Sequence, residues 1–320
     1  MYKKLKIKNL ELKNNIILAP MAGVTDKTFR DLCIEFGAGL VYSEMISAKG
    51  LLYDNANTKI LLDSAQTARP VTMQLFGNDP YVLAEAAKKI EHYPFDILDI
   101  NMGCPAPKIV KNGEGSALMK NPMLVGKIVE SVVNATNKPV TVKIRKGIEH
   151  NINAVEIAKI AEASGASLVT VHGRFREQFY EGSVDLDIIA TVKQALKIPV
   201  IASGDVIDID TAIKTFEITK CDGLMIGRGS MGNPWIFKIL THYFETGQRL
   251  PLPTPSEKIY MAMRHCKMLI THKGEYIGIR EMRKHAGWYL NGIQGAKALK
   301  LQINKATNYD ELKNILEKAN

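Results

Sequence analysis

Cys104 lies between Gly103 and Pro105 in the stretch Asp99 to Ser116, DINMGCPAPKIVKNGEGS. The apolar run FDILDI just before it reads as a buried strand, so the thiol falls where a loop must start. Pro105 biases Cys104 towards extended backbone and Gly103 lets another group approach closely, which together hold a reactive thiol on a stiff, open platform. A lone Cys-Pro is more often a half-buried turn residue. Its neighbours decide. Similar runs elsewhere end in residues that can donate protons, bind anions or orient a ligand: Gln74, Asp99 with Asn101, Lys143 with Arg145, His172, Ser203 with Asp205, and Gly227 with Arg228.

These ends belong to eight short apolar or β-branched runs, at residues 16–20, 39–45, 70–76, 95–101, 139–145, 167–173, 198–204 and 222–228. Segments with apolar residues at helical spacing separate them, such as PYVLAEAAKKIEHY and NPMLVGKIVESVVNAT, with Asn, Asp or Ser near their starts. Eight alternating pairs fit a (β/α)8 TIM barrel, usually about 250 residues, whose active site gathers at the carboxyl ends of the strands. A doubly wound open sheet is the competitor, but LAPMAGVTD after the first run lacks the GxGxxG spacing of a dinucleotide turn. In PVTVKIR, alternation sets Val140, Val142 and Ile144 on one face and Thr141, Lys143 and Arg145 on the other. If the apolar set meets the helices, Lys143 points into the barrel mouth. The glycine-containing ends ASGDV (Ala202 to Val206) and MIGRG (Met225 to Gly229) follow the seventh and eighth strands, where barrels often bind phosphate. Arg228 can add a fork of donors there.

The 320 residues are 46% hydrophobic, enough for a large core. The charged and apolar residues of MYKKLKIKNLELKNN alternate, so no signal peptide is expected, and no run approaches a membrane span. Cys33, Cys104, Cys221 and Cys266 form no CxxC pair, which speaks against a zinc site and a disulfide framework and for a reducing cytoplasm. No metal is expected. The formal charge is +9, and from Thr241 onwards 13 Lys and Arg face 7 Asp and Glu. That excess suggests a polyanionic partner such as nucleic acid, unless it is only a solvated helical face. TGQRLPLPTPSEK, with three prolines, reads as a linker, and helical segments follow from about Ser256. The expected division is a catalytic barrel over 1–245 and a small helical bundle over 246–320.

Taken together, LAPMAGVTD (Leu18 to Asp26), MQLFGN (Met73 to Asn78), DINMGCPAPKIVKNGEGSALM (Asp99 to Met119), VKIRKG (Val142 to Gly147), TVHGR (Thr170 to Arg174), IGRGSMGNPWIF (Ile226 to Phe237) and REMRKHAGWYL (Arg280 to Leu290) resemble the tRNA-dihydrouridine synthase family, most closely its B-type bacterial members. The resemblance covers nearly the whole chain, and the cysteine motif is its most specific part. It implies an FMN-containing barrel with a helical tRNA-binding domain that reduces the C5=C6 bond of D-loop uridines in tRNA. NADPH, or NADH, would be a transient electron donor; no nicotinamide motif is visible. By the same resemblance Pro20, Met21 and Ala22 line the flavin, Gln74 and Lys143 bond to it, Asn101 helps to position the flavin or the uracil, and His172 contacts the flavin or its phosphate. Ser203, Gly204, Asp205, Gly227 and Arg228 hold the phosphate. Cys104 is the proton donor, and Asn101, Arg145, Arg174, Arg280, Arg283 and Lys284 meet the substrate. Two departures stand out: Ser203 where many members have Asn, and Glu114 where a small residue is usual.

The residue types agree with that chemistry. Hydride delivered to C6 of uracil leaves negative charge over C5 and the C4 carbonyl, and an acid must protonate C5 from the other side. A thiol with a pKa not far from neutrality can do so. Lys143 and Arg145 can stabilise an anionic reduced flavin or orient the base. The uridine must leave its stack, which favours a loop nucleotide and a basic surface gripping the backbone. A monomer in the cytoplasm is expected. A flavin barrel acting on a small pyrimidine, and an RNA-binding protein on an inactive barrel, are the rival readings.

Overall fold

The structure, a computed structural model, describes residues 2–53, 55, 61–62 and 68–319. The chain opens with a hairpin of β1 (Leu5–Ile7) and β2 (Leu10–Leu12). Eight parallel strands then form the barrel: β3 (Ile16–Leu18), β4 (Val41–Ser47), β5 (Val71–Phe76), β6 (Ile97–Met102), β7 (Val140–Ile148), β9 (Val169–Phe175), β10 (Val200–Ser203) and β11 (Gly223–Ile226). The order is β3-β11-β10-β9-β7-β6-β5-β4, and the short β8 (Asn151–Ile152) folds back on β7. The Ile17 to Leu40 bridge closes the ring, with the Leu18 amide donating to Leu40 at 2.9 Å. Each of the eight runs read from the sequence overlaps one barrel strand, and four of the strands run on by one to three residues. The hairpin and β8 were not anticipated. The alternation in MYKKLKIKNLELKNN is the hairpin's signal, since Leu5, Ile7 and Leu12 are buried while Lys6 and Glu11 are exposed.

Most of the barrel helices start where a side chain supplies an oxygen for their first free amides. Asp26 caps α1 (Lys27–Glu35), and α2 is short (Ala48–Leu52). Asp79 and Pro80 open α3 (Pro80–Ile90); α4 (Pro107–Lys111) follows the cysteine loop; Asn121 caps α5 (Pro122–Val133). Then come α6 (Ala154–Ala163), α7 (Leu186–Ala195) capped by Asp185, α8 (Ile209–Thr219) capped by Asp208, and α9 (Trp235–Thr246).

Side-chain parity divides the interior. On β6, Leu98, Ile100 and Met102 face the helices with the fully buried Val140, Val142 and Ile144 of β7. Each such side chain contributes about 1.5–3 kcal/mol of burial. The opposite parity fills the barrel. Its amino-terminal part is apolar, with Ile17, Tyr42, Ile97, Leu168 and Ile201 packed on the hairpin. Higher up, Asp99, Thr141, Gln74 and Asn101 replace them, so the barrel is sealed below and polar above.

The proline-rich linker ends at Thr254, which shares a capping box with Glu257 at the start of α10 (Pro255–Lys273). With α11 (Glu275–Tyr289), α12 (Ala296–Ile303) and α13 (Tyr309–Glu317) it forms a bundle with its own core, into which Leu32 of α1 inserts. A two-pronged Arg264 to Glu35 pair (2.7 and 2.5 Å) joins the two parts at their rim. Among the described residues no helix is long and apolar enough to cross a membrane.

Candidate active site

The carboxyl ends of the strands surround a cavity of about 930 Å3. Cys104 stands on the loop after β6, half-buried, and two contacts fix its backbone. The Asn101 side-chain oxygen accepts the amides of Gly103 (3.1 Å) and Cys104 (2.9 Å), and Ser116 donates its hydroxyl (2.9 Å) and amide (3.1 Å) to the Cys104 carbonyl. The turn carrying Ser116 approaches so closely because residue 115 is glycine. A Cβ there would lie 2.9 Å from the Cys104 oxygen and 2.9 Å from Ile109 Cγ2, at φ +60°. Gly115→Ala is therefore expected to lower the unfolding free energy by about 1–3 kcal/mol. A urea midpoint shift at unchanged m would register it; an unaltered midpoint would mean that the turn yields freely.

Asn101 is the end of a buried chain whose polarity is forced. Because its oxygen serves two amides, its nitrogen must donate, and it does so to Gln74 Oε1 at 2.8 Å. Gln74 in turn gives its nitrogen to Asp99 Oδ2 at 2.7 Å, and Thr141 donates to Asp99 Oδ1 at 2.5 Å. Asp99 thus orients both amides and, through them, the cysteine loop. Burial pushes its carboxyl up to about 7, against the pull of Thr141, Gln74 and Lys143.

Lys143 projects from β7 into the cavity without a hydrogen bond from the described residues. Burial, helped by Arg145, brings its pKa down to about 8, while Asp99 and Cys104 oppose the shift. Burial raises the Cys104 thiol above its ordinary value of 9.0, outweighing the Ala106 amide, Arg145 and Lys143. This departs from the expectation of a near-neutral thiol: the few donors around the sulfur do not repay its desolvation. The group carries its proton at neutral pH.

His172, Arg174 and Asp205 form a second cluster. Arg174 is buried and spends its donors on the protein: the Glu181 carbonyl (3.0 Å), the Gly182 carbonyl (2.5 Å) and both Asp205 oxygens (2.8 and 2.6 Å). Its remaining nitrogen faces His172 Nε2 at 3.3 Å, and a guanidinium can only donate, so the imidazole proton sits on Nδ1. Burial and the surrounding cations hold His172 well below its ordinary value, hence neutral. Asp205, at φ +54°, also accepts from the Val184 amide (2.9 Å) and from Arg228 (3.2 Å). Gly204, at φ +126°, has no room for a Cβ, which would meet Val184 Cγ2 at 2.8 Å and His172 Cδ2 at 3.0 Å.

Pro20, Met21, Ala22, Ser203 and Gly227 complete the wall that the sequence motifs name. The residues expected at the substrate divide. Arg145 is buried and donates to the carbonyls of Gly103 (2.9 Å), Phe175 (2.8 Å) and Phe179 (3.0 Å), so it braces the loops beside Cys104 rather than offering a free fork. Arg174 is likewise consumed. Arg283 clasps the Ala306 carbonyl inside the bundle (3.0 and 2.6 Å), whereas Arg280 is exposed on the ring of Tyr276. Lys284 reaches across to the loop after β3, its ammonium over Gly23. Phe179 and Tyr180 were overlooked. They line the cavity from the loop after β9, with Arg228 5.0 Å from the Tyr180 ring centre. The aromatic pair in REQFYEG was their only signal.

Comparison with known proteins places this geometry in context. The family model described as dihydrouridine synthase (Dus) matches residues 17–320. A probable tRNA-dihydrouridine synthase of Rickettsia conorii is 43% identical over 305 residues, covering 94% of this chain and 91% of the relative. The tRNA-dihydrouridine synthase B of Pseudomonas aeruginosa is 42% identical over 300 residues, 93% of this chain and 90% of that protein. Among solved structures, a morphinone reductase mutant in complex with tetrahydroNAD superposes with a TM-score of 0.56 at 15% identity, over 80% of this chain and 93% of the other. A 2-naphthoyl-CoA reductase gives 0.59 at 14%, over 75% and 52%. These last two likenesses concern the fold.

Proposed function

The chain belongs to the dihydrouridine synthase family, and from that premise we propose that it reduces the C5=C6 bond of specific D-loop uridines in tRNA, with FMN bound in the barrel mouth and NADPH or NADH as electron donor. It acts as an oxidoreductase on tRNA uridine. The observation that carries the finer reading is that a thiol kept protonated by burial and an ammonium without a hydrogen-bond partner among the described residues face one cavity.

The cavity suits FMN. Lys143 would offer a positive charge to an anionic flavin, and Gln74 and Asn101, locked in orientation, would offer it amide N–H groups. Pro20, Met21 and Ala22 supply a wall. His172, with its proton on Nδ1, can donate from that atom, while Ser203, Gly204, Asp205, Gly227 and Arg228 make the phosphate end. There the Asp205 carboxylate is neutralised by Arg174 and Arg228, which removes its repulsion of an anion. When bound, FMN supplies the hydride that adds to C6 of uracil.

The protein's own residues do the rest. Cys104 gives its proton to C5 from a loop held in place by Asn101 and Ser116. Arg145 keeps Gly103 and the Phe175 to Phe179 segment in register with it. Of the three bundle cations expected at the substrate, Arg280 and Lys284 are left for tRNA phosphates, with Arg283 holding the bundle together.

The pH dependence follows in sign. The acid must be a thiol, and its pKa lies above 9.0, so its contribution is complete at neutral pH and lost on deprotonation. Lys143 gives up its charge earlier, through about 8. Asp99 takes up its charge through about 7, so single-turnover reduction of uridine should be greatest between about pH 7 and pH 8 and decline to either side. A rate that went on climbing between about pH 8 and pH 9 would mean that the thiolate is the active form. The overall reading is tested by NADPH oxidation with purified protein, FMN and an unmodified tRNA transcript. Oxidation that yields dihydrouridine only with tRNA present is expected, and a small pyrimidine serving equally well would favour the small-molecule alternative.

A further inference from the structure

Three ligand-bearing side chains meet where α1 packs against the bundle, and none of them lines the cavity. His265 on α10 and His285 on α11 are fully buried, and Asp26, the cap of α1, is nearly so. One ligand atom from each lies within 4.8 Å of the others, and Asp26 Oδ2 stands 3.9 Å from His285 Nε2. The two rings are 4.6 Å apart, and Phe29 covers both at 5.8 and 5.6 Å. His265 Nε2 and both nitrogens of His285 have no hydrogen-bond partner among the described residues. An unsatisfied buried polar atom costs about 1–3 kcal/mol, so three at one joint call for an occupant.

We propose that Asp26, His265 and His285 bind a divalent transition-metal ion, zinc by the character of the donors, and that the ion pins the helical bundle to the barrel. Two imidazoles with one carboxylate suit zinc and its neighbours, whereas magnesium and calcium ask for oxygen ligands. The outer contacts fit that role. His265 Nδ1 lies 3.4 Å from the Tyr289 hydroxyl, so with Nε2 on the ion the ring donates from Nδ1, as metal-bound histidines commonly do. Asp26 Oδ1 is held by the Phe29 amide at 3.0 Å, which leaves Oδ2 for the ion. Bonds of about 2.0–2.2 Å require the three donors to draw together by roughly half an ångström to one ångström, within reach of side-chain rotation. Cysteine spacing could not announce such a site. Its ligands contain no cysteine, and Asp26 is remote in sequence from the two histidines.

The test uses the full chain, purified without a metal-affinity tag. Elemental analysis should find about one ion per chain, and a chelator that removes it should lower the melting temperature, which zinc restores. Cobalt added to the stripped protein should give visible bands of a tetrahedral nitrogen and oxygen site, without thiolate charge transfer, unchanged in Cys104→Ala. His265→Gln and His285→Gln should abolish those bands. Wild-type protein that holds less than about 0.1 ion per chain and develops no cobalt spectrum would overturn the proposal. So would bands that persist in both glutamine variants. If those variants fail to fold, the wild-type cobalt titration alone decides. None of these readings depends on reductase activity.

Discussion

Cys104→Ala is expected to slow uridine reduction by about 100- to 10,000-fold while leaving flavin reduction by NADPH unchanged. The thiol is the protonated group on the loop facing Lys143, and in the proposed mechanism its removal deletes one proton transfer without disturbing the loop. Asn101 and Ser116 hold residue 104 through its backbone amide and carbonyl, which alanine retains. Stability should change little, since only a half-buried sulfur is lost. Stopped-flow measurement separates the half-reactions: the reductive one at wild-type rate, the oxidative one slowed. Equal slowing of both would place Cys104 in cofactor binding instead. Cys104→Ser should also be slow, because a hydroxyl is a far weaker acid than a thiol.

Arg174→Met is expected to cost about 2–4 kcal/mol of stability and at least tenfold in FMN affinity. Its buried guanidinium ties Glu181 and Gly182 to Asp205, so one side chain clamps the loop after β9 onto the turn after β10. Methionine fills the volume but leaves two carbonyls without their donor and Asp205 with only Arg228 and the Val184 amide. Asp205 is about one-third exposed, at 33%, which places the expected cost in the lower part of the range for a broken buried pair. Lysine should not rescue, because one ammonium cannot reproduce the fork. Urea unfolding and FMN titration measure the two effects. A midpoint within about 0.5 kcal/mol of wild type would show the clamp to be idle.

The arginines mark where sequence reading stops. The barrel was legible because each strand announces itself by a short apolar run, and parity along PVTVKIR already directs Lys143 inward. It cannot say which inward cation is free. Arg145 is braced by the carbonyl of Phe175, thirty residues on, and Arg174 by Asp205, thirty-one residues on. Only folding brings such partners together. The Asp99, Gln74 and Asn101 chain was half visible: the residues stand at strand ends, but their donor and acceptor order follows from the loop amides that Asn101 must serve. The thiol's pKa was not legible for the same reason. The chemistry asks for a value not far from neutrality, and burial, which no motif records, raises it in spite of Lys143 and Arg145. Arg283 looked like a phosphate ligand because it lies in a basic helix; the Ala306 carbonyl that claims it comes from the loop before the last helix.

In the proposed mechanism the barrel mouth reduces tRNA uridine with Cys104 as the acid. The most direct measurement is a position-by-position map of dihydrouridine in RNA from cells lacking this protein, and from the same cells carrying it intact or as Cys104→Ala. One or more D-loop positions of tRNA should lose the modification, the intact protein should restore them, and the alanine variant should not. If no tRNA position changes, the assignment of substrate is wrong. Restoration by the alanine variant at the wild-type rate would contradict the role of Cys104.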